Sequence, residues 1–383
     1  MNHAWLLPEY IEDILPPYAR QAESLRRRLL DLFDGYGYEL VRPPMIEYLD
    51  SLLTGAAGDL DLKTFKVVDG LSGRMMGVRA DITPQAARID AHLLNRRAAT
   101  RLCYAGPVLH TKPDGMMASR EPYQVGAELF GHSGIEADRE ILQLLRSALV
   151  ATGLGQVRIS LGHVGLFRAL SAAAGVSAEI ERPLFRALRA KDAPALAQLT
   201  EGLDAAWQAA FMRLPELYGD AAVIAVARRE LPDLPGVRQA LDDLDALLAV
   251  DGGVGLAVDL SDLRGFGYHT GAVFAAYVGG QAQAVALGGR YDNAGAVFGR
   301  ARPATGFSLD LRRILDSLPE PAARPGILAP LSGDVGLAGR IAELRAAGER
   351  VVVEFPGQSA FRAESGCNRQ LVCAAGEWNI LPL

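Results

Sequence analysis

Three short segments of the 383-residue chain carry side chains that could bind a small polar ligand. They are residues 79–84, 123–128 and 264–271. The second and third segments also contain glycine in or beside predicted strands, where a missing side chain weakens the sheet and often marks the close approach of a ligand. These segments are the candidates for a binding site.

The spacing of the polar residues indicates what they could contact. Gln124, Gly126 and Glu128 recur at a period of two, hence on one face of a strand, where two polar groups flank a gap that a small ligand can enter. Arg264 carries a guanidinium, the group best suited to hold a carboxylate with two hydrogen bonds. Tyr268 and His269 follow it across two glycines.

Each segment also has a simpler explanation that involves no ligand. Asp81 and Thr83 are common helix caps and could serve in that way before Pro84. The polar face at 124–128 could be solvated, and the glycines at 264–271 could form an ordinary turn. The residues alone do not choose between these alternatives.

Other polar runs do not match a catalytic pattern. His110, Lys112 and Asp114 suggest metal binding or acid–base chemistry, but the neighbouring Pro113 and Gly115 favour a surface loop. The glycine-rich run 287–292 lacks the Gly-Lys-Ser/Thr end of a phosphate-binding loop, so its composition predicts a hairpin turn. No histidine pair has metal-ligand spacing, and the cysteines form no Cys-x-x-Cys pair. We therefore expect no catalytic residue, no metal and no cofactor.

Composition and charge exclude several classes of protein. Half of the residues are apolar and 22% are charged, which excludes disorder. Apolar runs fall well short of the ~20 residues of a membrane helix. The net charge of −6 is opposite to that of a dedicated nucleic-acid binder. The first residues lack the basic and apolar segments of a secretory signal, so we expect a cytoplasmic protein that does not contact a membrane.

The pattern of apolar residues predicts an α+β fold, a mainly antiparallel sheet with helices packed on it. Helices are expected at 18–35 and from Pro84 to about residue 97. Strands are expected at 38–42, 101–109, 122–130, 157–163, 255–260, 271–278 and 282–287, with two short strands between 63 and 82. Most of these strands should be joined by turns rather than by helices.

Two breaks in this pattern divide the chain. Between about 166 and 250 the strand signals stop and short helices broken by glycine and proline follow, which indicates a helical insertion. The proline-rich segment 318–326 is the clearest linker. We therefore predict one domain over residues 1–318 and a small α/β domain over residues 319–383.

Taken in order, the motifs resemble the catalytic domain of class II aminoacyl-tRNA synthetases, and specifically histidyl-tRNA synthetase. The likeness extends from residue 1 to about residue 318. Its segments are the first motif at 13–16 and 36–47, the end of the second motif at 124–131, the histidine-specific loop at 264–269 with its companion at 288–292, and the third motif at 306–313. The resemblance implies a class II synthetase-like antiparallel sheet flanked by helices and a homodimer formed around the first motif.

The resemblance also implies a site for free L-histidine. Its residues, carried over by motif position, are Asp81, Thr83 and Gln124 toward the α-amino group, Arg264 toward the carboxylate, and Glu128, Tyr268, His269 and Tyr291 around the imidazole.

The segments that bind ATP in the synthetase are altered here. Adenylation needs cations on the triphosphate and acidic groups that hold magnesium. The Phe-Arg-x-Glu run of the second motif is replaced by Val-Leu-His-Thr-Lys at 108–112, and the Glu-Arg pair of the third motif becomes Arg312-Arg313. The tail, residues 319–383, is shorter than the anticodon-binding domain of the synthetase and carries six cations against seven acids. We therefore expect neither aminoacylation nor tRNA binding.

This combination is similar to a second family with the synthetase fold, the regulatory subunits of ATP phosphoribosyltransferase. The resemblance implies a non-catalytic subunit that forms a hetero-oligomer with a short-form ATP phosphoribosyltransferase catalytic subunit in the first step of histidine biosynthesis. It also implies that the chain conveys feedback by histidine. The alternatives are a divergent, functioning histidyl-tRNA synthetase, and an amino-acid-binding or tRNA-modifying paralogue with another partner.

Overall fold

The first helix forms where apolar residues recur at three- and four-residue spacing. α1 (Tyr18–Gly35) buries Leu25, Leu29 and Phe33 along one face, as this spacing requires. Gly37 follows the helix with a φ of +81° and turns the chain toward the first strand. The helix has the bounds expected from the sequence.

The structure is a computed structural model that describes residues 5–53, 58–115, 118–250, 254–265, 267–293 and 295–383. Phe266, within the candidate segment 264–271, lies outside these residues. The chain forms two compact units, of which the first ends at Leu318 and the second is Pro319–Leu383.

Twelve strands lie in the described part of the first unit. They are β1 (Glu39–Leu40), β2 (Ile46–Tyr48), β3 (Phe65–Val68), β4 (Met75–Val78), β5 (Thr100–Pro107), β6 (Tyr123–Phe130), β7 (Val157–His163), β8 (Tyr218–Gly219), β9 (Gly255–Asp259), β10 (Ala272–Val278), β11 (Ala286–Arg290) and β12 (Ala304–Asp310).

The helices that follow α1 in this unit are α2 (Leu49–Leu53), α3 (Gly58–Lys63), α4 (Thr83–Arg88), α5 (Ile135–Thr152), α6 (Val164–Ala173), α7 (Ala178–Ala190), α8 (Ala193–Thr200), α9 (Ala205–Arg213), α10 (Ala222–Glu230), α11 (Pro235–Leu248) and α12 (Leu311–Asp316). A π-helical segment, Ile89–Leu94, continues α4 and accounts for most of the helix expected to reach residue 97. Helices α6–α11, with the two-residue strand β8, occupy the segment expected to be helical.

Among the described residues, nine strands form one sheet in the order β1-β5-β6-β12-β11-β10-β7-β9-β8. Its pairs are antiparallel except β1 with β5 and β7 with β9, which are parallel. Strands β2, β4 and β3 form a smaller antiparallel sheet. This is the α+β architecture expected from the sequence.

Three parts of the main sheet differ from the sequence prediction. β11 begins at Ala286 instead of residue 282, so Gly288 and Gly289 lie inside a strand and the predicted hairpin turn is wrong. β12, which lies between β11 and β6 and pairs with both, is not among the strands expected from the sequence. The sequence analysis also missed α5, so the connection between β6 and β7 is a helix and not a turn.

The central strand β6 separates two parts of the core. Val125, Ala127 and Leu129 belong to the main core, to which α1, α5, α6 and α11 also contribute. The alternate positions 124, 126 and 128 face the opposite side of the sheet because strand side chains alternate. A smaller core on that side includes Tyr104 and Tyr291.

The second unit is a small α/β domain. Its elements are β13 (Gly326–Pro330), α13 (Val335–Ala346), β14 (Val351–Glu354), β15 (Cys367–Ala374) and β16 (Glu377–Pro382). β13 pairs in parallel with β14 and β15, and β15 pairs antiparallel with β16. Asp334 caps α13 by accepting hydrogen bonds from the amides of Gly336 and Leu337 at 2.7 and 3.2 Å.

Within the described ranges of both units, no helix is long and apolar enough to span a membrane. No group of three or more His, Cys, Asp or Glu residues in those ranges could hold a metal ion.

A buried ion pair ties the π-helical segment to the sheet. The Nη1 atom of Arg302 lies 2.8 and 3.1 Å from the two carboxylate oxygens of Asp90, and both residues are buried. Gly131 faces the guanidinium at a φ of +93°, and a Cβ at this position would lie 1.9 Å from Nη2 of Arg302. The absence of a side chain at Gly131 therefore provides the space that the Arg302 guanidinium occupies.

Replacing Asp90 with Ala is expected to lower the free energy of unfolding by about 3 to 5 kcal/mol, because the Arg302 guanidinium would remain buried without its counter-charge. Chemical denaturation measures this change. Glu39→Ala is the matched control, since Glu39 pairs with Arg96 at the surface and exposed pairs contribute about 0 to 1 kcal/mol. Similar losses in the two variants would contradict the importance of the buried pair.

Candidate functional site

A cavity of about 290 Å³ opens where α4 begins beside strands β6, β11 and β12. Its size is close to the lower end of the range for small-molecule sites. All eight residues expected to form the site line it: Asp81, Thr83, Gln124, Glu128, Arg264, Tyr268, His269 and Tyr291. The structure thus brings together side chains from segments that are far apart in the sequence.

Glu128 is the most buried acidic side chain of this cavity, with 1% of its surface exposed. The Tyr104 hydroxyl donates to its Oε1 at 3.0 Å, and the Tyr291 hydroxyl donates to its Oε2. Burial raises the pKa of Glu128 to about 8, because loss of solvent outweighs the two hydrogen bonds to the carboxylate. The solvated strand face considered above is therefore wrong for this residue, which is mostly protonated near neutral pH.

Two glycines of the sheet make room for this arrangement. A Cβ at Gly306 would lie 1.7 Å from Oε2 of Glu128, its neighbour across β6 and β12. A Cβ at Gly126 would lie 2.5 Å from the Tyr104 ring, which faces it from β5. Both glycines therefore accommodate side chains of this chain. For Gly126, the expectation that the gap admits a ligand is wrong, because the Tyr104 ring fills it.

Tyr104 is a part of the site that sequence reasoning missed. It is fully buried, contacts Glu128, and its hydroxyl lies 3.1 Å from that of Thr83. A tyrosine in a predicted strand ordinarily indicates core packing, so the sequence carries little signal for this role.

Asp81, Thr83 and Gln124 form one hydrogen-bonded wall. Gln124 accepts from the amide of Ile82 at 2.9 Å and donates to Oδ1 of Asp81 at 3.2 Å. The same Asp81 oxygen accepts from the amide of Thr83 at 3.0 Å. Ile82 occupies the N-cap position of α4 without a side-chain cap, so Asp81 contacts the helix start without being its cap residue.

The loop from Arg264 to His269 is both a glycine turn and a wall of the cavity. Gly265 has a φ of +64°, and its carbonyl accepts from the amides of Tyr268 and His269, each at 2.7 Å. Asp262 accepts from Nε of Arg264 at 2.8 Å. The terminal guanidinium nitrogens of Arg264 make no hydrogen bond to a described residue, so they can bind a ligand.

Aromatic rings form another part of the cavity wall. The rings of Tyr268 and Tyr291 stack with centroids 4.8 Å apart, and the His269 ring meets Tyr268 edge-on at 5.5 Å. Burial lowers the pKa of His269 to about 4, so its imidazole is neutral near neutral pH. The buried Tyr268 hydroxyl has no hydrogen-bond partner among the described residues.

A buried ion pair anchors the residue that precedes Tyr291. Nε and Nη2 of Arg290, the preceding residue, donate to Oδ2 of Asp138 on α5 at 2.9 and 2.7 Å. Both side chains are buried. This connection was not expected, because the sequence analysis did not identify α5.

The altered second and third motifs also lie near the cavity. His110 is buried and lines it, so the surface loop expected there is wrong for this residue, whereas Lys112 and Asp114 are exposed. Arg312 donates to Glu121 at 3.0 Å, and Nε of Arg313 lies 3.1 Å from a carboxylate oxygen of Asp310. Carboxylates of the same chain therefore engage both third-motif cations.

The fold and the site define a class of protein. The family model described as histidyl-tRNA synthetase matches residues 10–314. A solved structure of histidyl-tRNA synthetase from a Nostoc species has a TM-score of 0.79 at 17% identity, covering 99% of this chain and 97% of that chain. The chain therefore has the fold of a class II histidyl-tRNA synthetase.

Closer similarities identify the family. The ATP phosphoribosyltransferase subunit HisZ C-terminal domain family matches residues 324–381. ATP phosphoribosyltransferase regulatory subunits from Ralstonia nicotianae and Burkholderia cenocepacia are 57% and 54% identical over 378 residues, which cover 99% of this chain and 98% and 99% of theirs. A solved ATP phosphoribosyltransferase regulatory subunit/histidyl-tRNA synthetase from Bacillus halodurans has a TM-score of 0.85 at 25% identity, over 96% of this chain and 97% of that chain. The chain belongs to the family of ATP phosphoribosyltransferase regulatory subunits, which are non-catalytic and serve histidine biosynthesis.

The raised pKa of Glu128 predicts a pH dependence of stability. The folded pKa of about 8 lies above the ordinary value of 4.5, so the folded protein retains a proton that the unfolded chain loses. The contribution of Glu128 to the free energy of unfolding should therefore fall as the pH rises from 4.5 to 8 and then level off. The lowered pKa of His269 acts in the opposite direction between about 4 and 6.5, so the net fall is expected mainly between 6.5 and 8. Glu128→Gln, which does not ionise, should remove this loss, which is on the order of a few kcal/mol.

Urea denaturation of both proteins across this pH range measures the effect. Glu201→Gln is the control, because Glu201 is exposed and the same substitution there should leave the pH profile of the wild type unchanged. Parallel profiles for wild type and Glu128→Gln would show that Glu128 ionises normally.

Proposed function

We propose that the cavity binds free L-histidine and that the chain communicates its occupancy to a short-form ATP phosphoribosyltransferase catalytic subunit in the cytosol. The observation that carries this proposal is the buried carboxyl of Glu128, flanked by two tyrosine hydroxyls, in a cavity that Arg264 also lines. An amino acid with a hydrogen-bonding side chain matches these groups.

The arrangement supports one orientation of the ligand. Asp81, Thr83 and Gln124 receive the α-ammonium, and Arg264 receives the carboxylate. The salt bridge from Arg264 to Asp262 occupies Nε and leaves the two terminal nitrogens for a bidentate contact. The imidazole then lies among Glu128, Tyr268, His269 and Tyr291, which also line the cavity.

Glu128 provides the selectivity in this proposal. A buried carboxyl that exchanges a hydrogen bond with a ring N–H rejects an analogue that lacks the N–H, because the polar group is then left without a partner. Tyr104 and Tyr291 hold both oxygens of Glu128, so its direction toward the ligand is set before binding.

The proposal includes loss of aminoacylation. A functioning synthetase requires cations that are free to contact the triphosphate. Here Glu121 and Asp310 engage Arg312 and Arg313, and neutral His110 stands at the position of the second-motif arginine. These contacts disfavour the divergent synthetase considered above, and the acidic tail disfavours tRNA as a partner.

The first motif supports a homodimer. The segment 43–47 is held in place by Gln85, which donates to the Pro44 carbonyl and to Glu47, both at 2.8 Å. Beside this anchor Leu40 is 47% exposed, and Ile46 and Tyr48 are each 38% exposed. Exposed apolar side chains on an ordered segment suit an interface between subunits.

We expect Glu128→Ala to weaken histidine binding by about 1 to 3 kcal/mol, because a ring N–H of the ligand would be left buried without its hydrogen-bond partner. Arg264→Ala should weaken it by about 1.5 to 3 kcal/mol through loss of the carboxylate contact. Titration calorimetry on the purified chain measures both changes.

Glu201→Ala and Arg186→Ala are the matched controls, because both residues are exposed in the helical insertion and neither lines the cavity. Unchanged affinity in both cavity variants, with a wild type that binds histidine, would place the histidine site elsewhere.

We also expect the chain to be a dimer alone and to form a larger complex with the short catalytic subunit, as light scattering can measure. Histidine should inhibit the complex through this chain. Because binding couplings are reciprocal, the substrates of the partner should weaken histidine binding by the same factor, about 5 to 150.

The catalytic subunit alone is the control for the enzyme assay. Failure of the two proteins to co-elute would remove the partner from the proposal. Equal inhibition of the isolated subunit and of the complex would remove the regulatory role. The Glu128→Ala complex should respond to histidine only at higher concentration.

A further inference from the structure

His110 is a buried side chain of the cavity to which neither the motifs nor the proposed histidine contacts assign a role. It is 8% exposed and lines the cavity together with Asp81 and Thr83. Its backbone is fixed on both sides, since its amide donates to the Arg120 carbonyl at 2.7 Å and its carbonyl accepts from Nε of Arg120 at 3.0 Å. The ring therefore has a defined position.

The hydrogen bonds of the ring determine its tautomer. Nε2 lies 2.9 Å from the carbonyl oxygen of Ala80, which can only accept, so Nε2 carries the hydrogen. Burial lowers the pKa of His110, which favours the neutral ring. Nδ1 then presents a lone pair, and this buried atom has no partner among the described residues. A buried acceptor without a donor is unfavourable unless a ligand supplies one.

We propose that Nδ1 of His110 accepts a hydrogen bond from the α-ammonium group of the bound amino acid. This inference rests on the proposed function and adds to it a residue that recognises the ligand directly. Ala80 is the residue before Asp81. The hydrogen bond to Ala80 therefore places the imidazole near Asp81, to which the proposed function assigns the ammonium.

The count of acceptors near Asp81 supports this assignment. An ammonium group has three N–H donors. Gln124 Oε1 already accepts from Ile82, and Asp81 Oδ1 already accepts from Thr83 and Gln124. Oδ2 of Asp81 and the Thr83 hydroxyl remain able to accept, and Nδ1 of His110 adds an acceptor on a third side chain.

Two substitutions distinguish the roles of the two ring nitrogens of His110. His110→Gln places its amide nitrogen near Nε2, so it can keep the bond to Ala80 while it removes the acceptor. His110→Asn places an oxygen near Nδ1, so it keeps an acceptor while it loses the bond to Ala80. We expect His110→Gln to weaken histidine binding about 10-fold to 100-fold, and His110→Asn to remain within about 3-fold of the wild type.

Two histidine analogues identify the group that His110 contacts. Histidinol keeps the ammonium and lacks the carboxylate. The substitution His110→Gln should therefore weaken the binding of histidinol and of histidine by the same factor. Imidazole propionate lacks the ammonium, so His110→Gln should bind it within about 2-fold of the wild type. Calorimetry on the full chain measures each pair.

These measurements separate the inference from the proposed function. If the wild type does not bind histidine, both are wrong. If the wild type binds histidine and His110→Gln binds it equally well, only the role of His110 is wrong. Equal weakening of histidine and imidazole propionate in His110→Gln would show that His110 acts on the fold of the cavity and not on the ammonium. If His110→Asn does not fold, the comparison of His110→Gln with the wild type across the ligands still decides the question.

Discussion

Burial of the Glu128 carboxyl is the constraint on which the rest of the site depends. Removing a carboxyl from water is costly unless hydrogen bonds satisfy it and its proton is retained. Two tyrosine hydroxyls reach it from β5 and from the end of β11, and a glycine on β12 leaves space for one of its oxygens. The pairing of β5, β6, β11 and β12 must therefore keep one register, since a shift of one residue would turn Glu128 to the main core.

The same burial gives the cavity its chemical character. Desolvation raises the pKa of Glu128 and lowers those of His110 and His269, so all three groups are mostly neutral near neutral pH. A site of this kind recognises hydrogen-bond donors and acceptors by position. Phosphate chemistry needs free cations instead, and here carboxylates of the chain engage Arg312 and Arg313. The synthetase fold is thus retained while the groups that carry out its reaction are altered, as occurs when one fold supports several functions.

Local patterns predicted those elements whose signal lies in consecutive residues. The apolar spacing of α1 and the alternating apolar residues of β7 gave bounds that agree with the structure. β11 and β12 were misplaced or missed because their glycines resemble turn residues. In the sheet these glycines are required by close neighbours, since a Cβ at Gly288 would lie 2.4 Å from the Gly306 carbonyl oxygen. α5 carried a clear apolar periodicity that the sequence analysis overlooked.

The sequence by itself determined the α+β class, the motifs of the family and the eight residues that the structure brings to one cavity. Strand alternation placed Gln124 and Glu128 on one face, and motif order related them to Arg264. Only the tertiary structure decided that burial raises the pKa of Glu128, that Tyr104 belongs to the site, and that His110 is buried with a free acceptor. The physical reason is that burial and hydrogen-bond partners depend on which distant strands pair, whereas local sequence determines only the face on which a residue lies.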